Sequence, residues 1–110
     1  MEKDIEIIRG DTYSFNFVID EEIDNAYFSA KKTKNKDDIN YVFQKTLNDG
    51  ISLVEQTEEG YVYAVRVAPE DTNDLDTGKY YYDLQIGING DVFTPLIGLF
   101  MITNDITREV

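Results

Sequence analysis

The chain has 110 residues, with 22 acidic against 10 basic side chains and a formal charge of −12 at neutral pH. It holds no Cys and no His, which excludes disulfides, thiolate metal sites and the commonest catalytic base. A field this negative repels phosphate backbones and anionic lipid, so neither nucleic acid nor a membrane surface is an expected partner. Eight Tyr and six Phe within 42% hydrophobic content supply a core for the single domain that this length suits. No apolar run reaches about 18 residues, so no spanning helix is expected. The opening MEKDIEII lacks the apolar stretch of a secretion signal, and the absence of Cys fits a reducing compartment.

Period two runs through the chain. Ile5 to Ile8 is strand-like. After Arg9-Gly10-Asp11, the residues Tyr13, Phe15, Phe17 and Ile19 alternate with Ser14, Asn16 and Val18, as in a half-buried strand. An acidic run, Asp20, Glu21, Glu22 and Asp24, reads as a solvated turn. Ala26 to Lys32 is a strand with Phe28 inward and Lys31 outward. A polar connection carrying Lys31, Lys32, Lys34 and Lys36 beside Asp37 and Asp38 follows. Tyr41 to Leu47, Ile51 to Gln56 (an edge), Tyr61 to Val67, Lys79 to Ile88 and Val92 to Ile102 complete the strands. Asn48-Asp49-Gly50 and Glu58-Glu59-Gly60 read as hairpin turns. Asn89-Gly90 is the strongest, since both residues tolerate positive φ. Pro69 to Leu75 suits one helical turn, with Pro69 at its start and Asp71 or Asp74 as a cap. Seven or eight short strands with frequent turns predict an antiparallel β-sandwich, with a small barrel as the alternative.

The last strand departs from alternation. Ile97, Leu99, Phe100, Met101 and Ile102 are apolar on both faces, so either both faces are covered within the domain or one meets a partner. Phe93, Ile97, Leu99 and Met101 are the candidate protein-contact residues, with the edge near Ile51 to Val54 as a second candidate. Pro95 lacks an N–H and belongs at an edge or bulge.

Leu75, Gly78 and Tyr80 form a Leu-x-x-Gly-x-Tyr pattern that resembles the tyrosine corner of immunoglobulin-like sandwiches; the plainer reading is a Gly turn before an aromatic strand. The fragment PEDT before a Tyr-rich strand also resembles the variable-domain pattern, with Tyr82 where that pattern has Cys. The resemblance concerns architecture.

The chemistry of catalysis is missing. Glu70, Asp71, Asp74 and Asp76 could offer oxygens to calcium, but an EF-hand register from Asp71 places Leu75 fifth and Tyr82 twelfth, both wrong. No phosphate loop or nucleophilic dyad exists, and no cofactor or metal is expected. Arg9-Gly10-Asp11 spells the tripeptide that integrins read, but only three residues separate two strands. A bend from one sheet to the next, with Arg9 and Asp11 pairing across it, explains it better than adhesion.

Three motifs carry a family likeness: I-x-I-x-RGD-T-x-x-F-x-F near the start, G-x-YYYD-x-Q-I in the middle, and Gly98 to Thr107 (GLFMITNDIT). Together they resemble the amino-terminal domain of the baseplate upper protein family of tailed phages, over Ile5 to Thr107. That family implies an immunoglobulin-like sandwich that fastens a receptor-binding assembly to the tail. It also implies a virion location, assembly in the bacterial host cytoplasm, and other virion proteins or copies of the chain as partners. The 110 residues hold none of the family's long helical and carboxy-terminal parts. The expected function is a non-enzymatic structural or assembly module that docks through protein surfaces. The alternative is a bacterial surface or carbohydrate-binding sandwich, in which Tyr27, Tyr41 and Tyr81 stack on sugars.

Overall fold

The computed structural model of the chain describes residues 2–35 and 40–104. Lys36, Asp37, Asp38 and the end of the third motif, Asp105 to Thr107, lie outside the described residues. The alternating segments form eight strands: β1 (Ile5–Ile8), β2 (Tyr13–Ile19), β3 (Asn25–Lys31), β4 (Tyr41–Leu47), β5 (Gly50–Thr57), β6 (Gly60–Val67), β7 (Gly78–Ile88) and β8 (Asp91–Thr103). One helical turn, α1 (Pro69–Thr72), joins β6 to β7. The fold is all-β.

The strands make one sheet in the order β1-β8-β7-β3-β4-β5-β6-β2. It curls until β1 and β2, its two ends, border a common cleft. A wholly antiparallel pair of layers was expected. The observed sheet is mixed, continuous and barrel-like, because two of its pairings are parallel. Ile5–Ile8 runs beside Phe100–Thr103, and Thr46–Leu47 beside Gly50–Ile51. The second pairing also corrects the turn expected at Asn48 to Gly50. Asn48 (φ 69) and Gly50 (φ 100) have the predicted positive φ, yet the chain jogs sideways and continues in the same direction. Beyond Ile51, β5 has β6 on one side and no pairing from β4, so it becomes an edge only there. Ile51 itself is wholly buried and cannot be a contact residue.

The other turns are hairpins. Thr57 pairs with Gly60, and Ile88 with Asp91 around Asn89 and Gly90, both at positive φ. Pro95 falls in the stretch where β8 carries an extra residue against β7, between the pairs Leu84–Leu96 and Ile86–Phe93. Its missing N–H is tolerated at such a bulge.

Inward side chains fill the barrel. Phe28 is fully buried and its ring meets Phe15, Phe43, Tyr82 and Phe100 at centroid distances of 5.3–6.3 Å. At one end the β2–β3 connection folds across the opening: Ile23 is buried and its N–H donates to the Tyr63 hydroxyl at 3.0 Å. The turns around Asp20–Asp24, Glu58–Glu59 and Asn89–Gly90 all lie at this end. The Asp24 N–H donates to Gly87, the Asn89 N–H donates to Asp24 Oδ2, and Ile19 pairs with Tyr61 beside Gly60. The opposite end carries α1 and the Arg9–Asp11 turn.

Candidate functional site

Strand register decides which side chains share the outer wall of β8, β7, β3 and β4. One row across it is Leu99, Tyr81, Lys31 and Tyr41. The next is Ile97, Asp83, Ser29 and Gln44, and a further pair is Gln85 and Tyr27. The expected contact residues Ile97, Leu99 and Met101 therefore point outward from alternate positions of β8. Their neighbours Leu96, Phe100 and Ile102 point inward. Ile97 is 51% exposed, while Leu99 and Met101 are half-buried. Phe93, 49% exposed, pairs with the buried Ile86 and so stands on the opposite face of β8 from this strip. Val92, 69% exposed, extends the strip.

The three tyrosines proposed to stack on sugars also lie on this wall, and two of the rings have an ammonium over them. The Lys31 ammonium sits 5.8 Å from the centre of the Tyr41 ring, and that of Lys34 sits 5.5 Å from Tyr81. A cation over an aromatic face is itself a favourable contact, and it occupies the surface a sugar would need. Between them the Gln44 amide donates to Ser29 Oγ at 2.9 Å. Burial raises the Asp83 carboxyl, opposed by the charge of Lys31.

The corner residues stand where β7 begins. Gly78 opens the strand, Leu75 packs on the core, and the buried Tyr80 donates its hydroxyl to the Asp76 carbonyl at 2.7 Å. Burial, and then Asp76, raise the Tyr80 hydroxyl above its ordinary value.

Tyr82, two residues on, ties down the amino-terminal segment: its hydroxyl donates to the Lys3 carbonyl. Lys3 crosses directly over Gly98, where a Cβ would stand 2.2 Å from that carbonyl oxygen, so only Gly fits. The Lys3 N–H donates to Ile97 and the Leu99 N–H to Asp4 Oδ1. Burial first, then Tyr13 and Asp4, push the Tyr82 hydroxyl up to about 12. The fold thus favours the neutral phenol. The stability tied to it is complete below about pH 10 and is lost as pH rises toward about 12. Chemical unfolding in steps through that window should show the loss, and Tyr82→Phe should make it shallower. An unaltered slope in Tyr82→Phe would remove Tyr82 as its source.

Beside Lys3 the barrel wall is open. A cleft of about 270 Å³ lies between β2 and the β1–β8 edge, lined by Ile5, Phe15, Phe17, Tyr82 and Leu96 among others. It was not foreseen, because β1 and β2 are neighbours in sequence and sit at opposite ends of the sheet order. The Arg9-Gly10-Asp11 turn carries the chain between those two ends, so it joins the ends of one sheet and not two sheets. Arg9 donates to the Leu75 carbonyl at 3.4 Å instead of pairing with Asp11, and the Gly10 N–H donates to Thr72 Oγ1 at 2.9 Å. The tripeptide is pinned against α1, not displayed on a tip.

Of the acids considered for calcium, Asp71 is likewise engaged. Asp71 Oδ2 takes the Lys45 ammonium at 2.6 Å and the Ala68 N–H at 2.7 Å. Among the described residues no group of three or more Asp or Glu side chains is placed to hold a metal ion. Compared with protein-family models and with curated proteins, the chain matches none.

Proposed function

We propose that the chain is a non-enzymatic structural module of a tailed-phage particle, working by docking onto neighbouring virion proteins or copies of itself. The observation that carries this reading is the outward apolar strip of β8. Ile97, Leu99 and Met101 project from a strand whose inward side chains already fill the core, and Val92 continues the strip nearer its start. Contiguous apolar surface of this kind costs solubility unless a partner covers it. The three quoted motifs, with their likeness to the baseplate upper protein family, supply the particle as the setting.

A finer reading of the fold goes with it. Only two register pairs join β4 to β5. Without them the strands divide into β1-β8-β7-β3-β4 and β5-β6-β2, the arrangement of an immunoglobulin-like sandwich with its corner tyrosine on the next-to-last strand. The shortest dimension, 22 Å against 42 and 31 Å, suits two packed layers. The carbohydrate alternative has less behind it, since an ammonium group stands over the Tyr41 and Tyr81 rings, although Tyr41 at 44% is as exposed as Tyr27 at 41%.

Mass spectrometry of purified virions should find the chain in the particle, and Ile97→Glu should keep the folded protein out of it. A chain present in infected cells but absent from virions would overturn the proposal.

A further inference from the structure

Sheet edges in stable proteins are usually protected by charge, proline, bulges or shortness, because their free N–H and C=O groups recruit other strands. Two of the edges here follow that rule. β1 is four residues long and carries Glu6, and the open part of β5 carries Glu55 at a bulge. The third does not. β2 is seven residues long, has no charged residue and no Pro, and is unbroken in register against β6 from Tyr13 to Ile19. On its other side it borders the cleft, and among the described residues no strand pairs with it there.

The floor of that cleft is apolar: Phe15, Phe17, Tyr82 and Leu96. Its outer lip includes Val18, 46% exposed. The cleft runs along β2, which finishes at the end of the barrel where the turns hold Asp20, Glu21, Glu22, Asp24, Glu58, Glu59 and Asp91. The cations Arg9, Lys31, Lys32, Lys34, Arg66 and Lys79 stand toward the other end. A strand running along β2 thus meets a largely apolar surface, with Lys3 on the facing wall, and carboxylates at one end.

We propose that β2 is a strand-addition site for an extended partner segment with apolar residues at every second position and Lys or Arg at the end nearest Asp20–Glu22. The segment's main chain completes the β2 ladder, its apolar side chains enter the cleft, and its cations face the acidic turns. A second copy of the chain fits less well, since each copy carries −12. The site is separate from the β8 strip and does not depend on the virion assignment.

Selection of a displayed library of random peptides as long as β2 against the full chain tests this. Enriched peptides should alternate apolar residues and carry Lys or Arg toward one end. A synthetic consensus peptide should slow amide exchange in β2. Its affinity should fall about tenfold or more in Asn16→Lys or Val18→Lys, residues at the rim of the cleft whose side chains would stand beside the added strand, and in Glu21→Lys with Glu22→Lys. Circular dichroism should show each variant folded. Failure of enrichment, a consensus without alternation, affinity unchanged in these folded variants, or self-association of the chain through β2 would each overturn the proposal.

Discussion

Phe28→Ala will cost about 3–5 kcal/mol of folding stability, measured by urea unfolding. Phe28 is fully buried, and its ring is surrounded by Phe15, Phe43, Tyr82 and Phe100, contributed by β2, β4, β7 and β8. No neighbour can collapse into the space, because each ring is held by its own strand and the barrel wall fixes the strands. The void therefore persists, and its cost adds to the lost transfer energy. Against a total of about 5–15 kcal/mol for a domain of this size, the variant should stand near the limit of folding. Phe28→Leu, which keeps most of the volume, should lose distinctly less. A loss below about 1 kcal/mol in Phe28→Ala would mean that the aromatic cluster is not the centre of the core.

Asp71→Asn comes next, at about 2–3 kcal/mol. The Asp71 carboxylate takes both the Lys45 ammonium and the Ala68 N–H, and both side chains of the ion pair are about 15% exposed or less. Asn can still accept from Ala68, but it leaves the ammonium of Lys45 largely desolvated and without its counter-charge. Lys45→Met with Asp71→Asn should recover some of the loss, since the double variant leaves no desolvated ammonium without a counter-charge. Glu70→Gln, one residue away and exposed, should change stability by no more than about 0.5 kcal/mol. Equal effects at positions 70 and 71 would show that Lys45 and Asp71 contribute nothing beyond surface charge.

Much of the sheet was legible because side-chain direction in a strand repeats every second residue. Tyr13 to Ile19, Tyr61 to Val67 and Lys79 to Ile88 each display that period, and the structure makes each a strand. Asn89-Gly90 and Glu58-Gly60 were readable because turn chemistry is local. Asn48 to Gly50 has the same chemistry, but φ values alone do not say whether the chain reverses or jogs sideways; the pairing of Leu47 with Ile51 decides that. The parallel alignment of β1 with β8 joins segments about 95 residues apart, and no local pattern records it. For the same reason the cleft beside β2 was invisible: it exists only once the two ends of the sheet approach each other. The double-sided apolarity of β8 was visible, and register then separates inward Phe100 and Ile102 from outward Ile97 and Met101.

The parallel alignment of β1 and β8 has a mechanical consequence. Traction that draws Ile5 and Thr103 apart runs along both strands in opposite senses. It loads the Ile5–Phe100 to Ile8–Thr103 rungs together in shear, and the chain yields only when they fail as a group. A hairpin pulled at its open end would unzip rung by rung under far less tension. Strands in this arrangement suit a component that must transmit force between its neighbours without extending.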